Sequence, residues 1–92
     1  MNDFNASAVA TNDTTSIVTY LKGLWEKQLR IANVNPEDDF FALGGDSVLV
    51  IDMLVAVSAH FDRDFKFIKF FPKPTITTLT LSIQDELKAN LD

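Results

Sequence analysis

The chain has 92 residues, 47% of them hydrophobic and 23% charged, with 8 basic against 13 acidic residues and a formal net charge of −5. That length holds one domain with one modest core, burying roughly 60–65% of the surface its unfolded form exposes, and leaves no room for separate cofactor and substrate domains. The acidic balance lacks the basic footprint of a nucleic-acid binder and opposes docking on an anionic membrane, while the absence of cysteine excludes disulfides, thiol nucleophiles and Cys-ligated metals.

Residues 1–13 are rich in Asn, Asp, Ala, Ser and Thr and read as a flexible tail, without the basic run and apolar stretch of a signal peptide. No run of ~18 apolar residues exists, so no membrane span is expected and the location expected is cytoplasmic. Asp13 or Thr14 can cap a helix on which Ile17, Leu21, Leu24, Trp25 and Leu29 fall on one stripe, with Lys22, Glu26 and Lys27 on other faces.

From Ile31 to Asp46 the periodicity stops. Asn33, Asn35, Pro36, Gly44 and Gly45 are turn residues, yet Ile31, Val34, Phe40, Phe41 and Leu43 lie among them, so this long loop is expected to pack down, with Phe40 and Phe41 as core anchors. Asp38 and Asp39 read as a solvated turn. Next comes an apolar segment of about fourteen residues, Ser47 to His60, whose only acidic side chain is Asp52. Periodicity alone admits a buried strand or a buried helix, and the length favours helix. Part of the set Val48, Leu49, Val50, Ile51, Met53 and Leu54 should remain accessible as a partner surface, because a small domain cannot cover every face.

Phe61 to Phe71 is an aromatic connector in which Phe65 and Phe67 alternate like a strand. Pro72 and Pro74 punctuate the chain, and Thr75 is placed to cap a last helix carrying Ile76, Leu79, Ile83 and Leu87. The rival is a strand in which Leu79, Leu81 and Ile83 alternate with Thr80 and Ser82; the sequence after Ile83 favours helix.

The sharpest feature is Leu43-Gly44-Gly45-Asp46-Ser47. Two glycines permit a tight turn and leave the backbone uncovered. Asp46 or Ser47 then opens the apolar helix, whose first amides and positive dipole end favour an anion. A hydroxyl placed there is reachable and suited to accept a phosphoryl-type group. A phosphate-binding loop would need a Lys-Ser/Thr pair after the glycines, and none is present. A serine hydrolase would need a base beside Ser47. His60, the only histidine, is thirteen residues along the same helix, about 20 Å away, and reads as a helix-end histidine.

The stretch Asp38-Asp-Phe-Phe-Ala-Leu-Gly-Gly-Asp-Ser47 with the helix behind it resembles the attachment site of carrier domains, specifically the peptidyl or aryl carriers of non-ribosomal peptide synthetases. Pro74, Thr75 and Ile76 match that family's downstream Pro-Thr-Ile stretch, and Asn33 to Pro36 is similar to the turn before its acidic residues. The resemblance covers roughly residues 15–90. It implies an all-α fold: a four-helix bundle with a short third helix near Lys66 to Phe71 and a long packed loop between helices one and two, with residues 14–92 as the carrier domain. It also implies a 4'-phosphopantetheine arm from coenzyme A on Ser47, with Asp46 and Gly45 beside it, carrying acyl, aminoacyl or peptidyl groups as thioesters. The domain would then be a non-catalytic monomer. Its partners would be a phosphopantetheinyl transferase, an adenylation or acyl-activating enzyme, and condensation or thioesterase-type enzymes, met through Leu43, Val48, Leu49, Met53 and Phe70.

Val48 departs from the Leu or Ile usual after the modified serine. Helix two lacks the acidic rows of fatty-acid carriers, which points to peptide-synthetase partners. Met1, the separate tail and the end soon after the last helix suggest a free-standing protein, although a domain cut from a synthetase would look the same. The alternative reading is a small helical interaction module with Ser47 unmodified.

Overall fold

The computed structural model describes residues 13–67 and 70–89. The expected N-terminal tail lies, apart from Asp13, outside the described residues. Three α-helices are present: α1 (Thr14–Leu29), α2 (Ser47–Phe61) and α3 (Ile76–Ala89). None of the described residues is in a strand. Among them, no helix is long and apolar enough to cross a membrane.

Each helix begins on a side-chain cap that satisfies one of the otherwise orphaned amides of its first turn. Asp13 accepts from the Ser16 amide at 3.3 Å. Asp46 accepts from the Leu49 amide at 2.9 Å. Thr75 Oγ1 accepts from the Thr78 amide at 3.1 Å. α1 and α2 end on left-handed residues, Arg30 (φ 58°) and Asp62 (φ 54°), whose amides turn back to the last carbonyls. The threonines of α3 do not make it a strand, because its stripe of Ile76, Leu79, Ile83 and Leu87 is buried. Leu81, which a strand would place beside Leu79, is 59% exposed.

α1 lies between the other two helices, and α2 and α3 each pack on it. Ile17, Leu21 and Trp25 meet Val50, Met53 and Val57 of α2 and the α3 stripe in one core. Full burial of each such side chain contributes about 1.5–3 kcal/mol. Trp25 makes edge contacts with Phe40 (ring centroids 4.8 Å apart) and Phe70 (6.4 Å). These rings close the end of the bundle from the loop and the connector. At the other end, Tyr20 donates to the Ala56 carbonyl at 3.3 Å and stacks on His60 at 3.7 Å, tying α2 to α1. Burial pushes the Tyr20 hydroxyl above its ordinary pKa.

Gly23 sits exposed inside α1, and an added Cβ would have no neighbour within 4 Å. Gly23→Ala should therefore stabilise the domain by about 0.5–1 kcal/mol through helix propensity alone. Thermal unfolding should show a rise of about 2–8 °C; an unchanged or lower midpoint would contradict this account of α1.

Between α2 and α3 the strand alternation of Phe65 and Phe67 does not appear, and both rings are buried. The short third helix is not seen among the described residues. Asp64–Phe67 are irregular, and Phe70–Pro72 form a turn. Residues 68 and 69 of that expected helix lie outside the described residues. The amides of Phe70 and Lys73 donate to the carbonyls three residues back, at 3.1 Å each.

Candidate functional site

The loop between α1 and α2 is stapled at several points, which explains how it holds shape without regular structure. At its start, Glu26 of α1 accepts from the Val34 amide at 3.0 Å and from Lys22 Nζ at 2.7 Å. The Lys22 hydrogen bond first, then the Val34 amide, holds the Glu26 carboxyl below its usual pKa. Asn35 and Asp38 close a turn: Asp38 accepts from the Asn35 amide at 3.0 Å, and Asn35 Oδ1 accepts from the Glu37 amide at 2.9 Å. Asp39 accepts from the amides of Phe41 (2.8 Å) and Ala42 (3.1 Å). The paired aspartates thus serve as backbone acceptors within their turns.

The Pro74-Thr75-Ile76 stretch holds the loop from the other side. The Phe40 amide donates to the Pro74 carbonyl at 2.9 Å, and the Thr77 amide donates to the Pro36 carbonyl at 3.1 Å. Thr77 Oγ1 also donates to Glu37 at 2.7 Å. Two motifs more than thirty residues apart in sequence are therefore parts of one structure, with the second anchoring the loop that carries the first.

Phe40 is the pivot of the turn into α2. Its side chain is fully buried, and its carbonyl accepts from the Gly45 amide at 3.0 Å. A Cβ on Gly45 would overlap the Phe40 ring and come within 2.8 Å of the Phe40 carbonyl oxygen, so only glycine fits this close approach. Gly44 meets no such obstacle but has φ 107°, a conformation that side chains resist. Asp46, in extended conformation, then caps α2. Ser47 is the first helical residue and is exposed. The amides of Ser47 and Val48 have no acceptor within the helix. A hydroxyl and an electropositive helix end thus meet behind two residues without side chains.

The structure divides the expected partner-facing residues. Val48 is 67% exposed, and Leu43 and Leu49 are half-buried. Met53 and Phe70 are fully buried and belong to the core, because α1 lies against the Met53 face of α2 and Trp25 receives the Phe70 ring. Their accessible counterparts are Ile51 and Val55, which continue the Val48 ridge at helical spacing, and Phe71. Phe41, expected as a core anchor, is also exposed; only Phe40 turns inward. The ridge could have been found by stepping three and seven residues from Val48, but the opposite apolar face of α2 offers an equally regular series.

His60 lies at the far end of α2 from Ser47, stacked on Tyr20, where it cannot serve as a base for that hydroxyl. Among the described residues, no group of His, Asp and Glu side chains can hold a metal ion.

Residues 19–89 match the family model described as the phosphopantetheine attachment site. This segment contains most of α1 and all of the loop, the Ser47 turn and the two later helices. The chain belongs to the phosphopantetheine-attachment family. Tyrocidine synthase 3 of Brevibacillus parabrevis is 35% identical over 71 residues, covering 77% of this chain. Polyketide synthase PksN of Bacillus subtilis is 30% identical over 77 residues, covering 84%. The matched region spans only 1% of each of these relatives. The structure of BlmI, a type-II acyl carrier protein from Streptomyces verticillus involved in bleomycin biosynthesis, shares the fold. It superposes with a TM-score of 0.69 at 24% identity, covering 86% of this chain and 90% of that one.

A domain of this family is a non-catalytic carrier, the substrate of a phosphopantetheinyl transferase and the site of covalent 4'-phosphopantetheine attachment. The Ser47 turn fits such a group: the hydroxyl is open, the glycines leave an approach, and the first amides of α2 can face a phosphate. The arm supplies a terminal thiol, a function that this cysteine-free chain has no side chain to provide.

Proposed function

We propose that Ser47 carries the arm and that the domain tethers acyl, aminoacyl or peptidyl groups during non-ribosomal peptide or related natural-product biosynthesis. The observation that carries this reading is the exposed Ser47 hydroxyl at the head of α2, behind Gly44 and Gly45 and inside the matched family segment. In the loading step the Ser47 oxygen forms a phosphoester bond and loses its proton. The pyrophosphate bond of coenzyme A breaks, and the nucleotide half leaves. Asp46 caps the helix under the attachment point, and Gly45 keeps the approach clear. Tethering then raises the effective concentration of the cargo at each partner's active site.

The printed names of the relatives, peptide and polyketide synthases, support partners of those classes: an adenylation or acyl-activating enzyme and condensation or thioesterase-type enzymes. Val48, with half-buried Leu43 and Leu49 and the neighbouring Ile51, forms the surface they would meet. The lack of acidic rows on α2 leaves apolar contact to dominate there. The three-residue hydrogen-bond steps at Phe70 and Lys73 support a short third helix completing a four-helix bundle. A cytoplasmic site of action accords with these roles.

Incubation with coenzyme A and a broad-specificity phosphopantetheinyl transferase should add one phosphopantetheinyl mass to the intact protein. Ser47→Ala should gain none. A chain that stays unmodified while a control carrier is loaded would overturn the reading and leave the plain interaction module in its place.

A further inference from the structure

α2 and α3 both rest on α1 and meet each other only marginally. Phe65 and Phe67 of the connector occupy the space between them. Each is 6% exposed. Their outer edges, with Ile51, Leu54, Val55 and Ser58 of α2, line an open apolar groove of about 320 Å³. The outer flank of α2 is thus supported by the connector and not by a helix.

Two features of that connector stand out physically. Phe67 has φ 54°, a left-handed conformation that is unfavourable for a bulky residue and persists only where its surroundings impose it. The amide just before it, that of Lys66, donates to both carboxylate oxygens of Glu86 on α3, at 3.2 and 3.0 Å. Glu86 lies 20 residues further along the chain, so this bond fastens the connector to a different element. A charge-assisted bond to the backbone beside a strained residue opposes the relaxation that the strain favours.

We propose that residues 64–67 are a wedge between α2 and α3 that opens as a unit, latched by Glu86 on the Lys66 amide, while the α1-centred core stays closed. Opening exposes the rings of Phe65 and Phe67 and frees the flank of α2 from Ile51 to Ser58, the same helix that begins at Ser47. The wedge thereby controls how much apolar surface α2 presents. It acts in the unmodified chain and does not depend on the arm.

Native-state hydrogen exchange of the full, unmodified chain, followed by NMR at low denaturant, tests this. In the wild type, Lys66 should exchange by a local opening insensitive to denaturant, whereas Leu21 and Trp25 exchange only by global unfolding. E86A should speed Lys66 exchange roughly 10–100-fold, the loss expected for a hydrogen bond to a charged group. It should also shift the Ile51 and Val55 methyl resonances, with Leu21 and Trp25 exchange unaltered. E86Q keeps an acceptor without the charge and should fall between; it stands in if E86A does not fold. If Lys66 exchanges in step with Leu21 and Trp25, if the variants accelerate all amides alike, or if Lys66 does not respond, no separate wedge exists and the proposal falls.

Discussion

Phe40→Ala should destabilise the domain by about 3–5 kcal/mol, a large part of the 5–15 kcal/mol that holds a small domain together. The ring is fully buried, contacts Trp25 edge-on and lies against the backbone of Gly45. Its removal leaves a cavity where the loop, α1 and the head of α2 converge. The backbone bonds from Phe40 to Pro74 and from Gly45 to Phe40 remain possible, but nothing then fills the angle between them. The Ser47 turn should therefore loosen, and loading by the transferase should slow even in the folded fraction. Urea unfolding followed by the fluorescence of Trp25, the single tryptophan, measures the first effect; transferase kinetics well below the unfolding midpoint measure the second. Phe41→Ala is the matched control. With its ring 43% exposed, it should cost less than half as much. Equal losses at the two positions would refute the assignment of Phe40 as the pivot.

The second large effect separates two residues of α2. Met53→Glu places a carboxylate in a fully buried position with no cationic partner among the core residues and should cost about 4 kcal/mol or more, leaving little folded protein. Val48→Glu, at a position 67% exposed, should alter stability by no more than about 0.5 kcal/mol. On the proposed reading, Val48→Glu should instead lower kcat/KM for loading by an adenylation enzyme about tenfold or more, as a charge placed in an apolar contact does. Circular dichroism with urea titration reads the first comparison, and a loading assay reads the second. A folded, stable Met53→Glu would contradict the observed core. A Val48→Glu that loads normally would remove this ridge from the partner surface.

Much of the fold was legible because it rests on local chemistry. Asp13, Asp46 and Thr75 cap the three helices, and each needs only a short side chain that reaches an amide three residues on. The stripe of α1 and that of α3 follow from spacing. The need for glycine at 44 and 45 also showed in the sequence, as a turn signal, although not its cause. At Gly44 that cause is the backbone angle; at Gly45 it is the ring of a residue five positions earlier.

The fine structure of the site was not legible, for one recurring reason. Phe40 and Phe41 are identical neighbours, as are Phe70 and Phe71; in each pair the first is buried and the second exposed. On α2, Met53 is buried while Ile51 and Val55 face outward, although all three are apolar. Composition cannot rank such residues, and a helix that is apolar on all sides has no polar face to orient it. The amino-acid sequence by itself determined where the helices start, which turn carries Ser47 and that apolar surface would be in excess. Which of those side chains became core was decided only in three dimensions, because burial depends on where α1 and Trp25 lie, and those contacts join parts of the chain far apart in sequence.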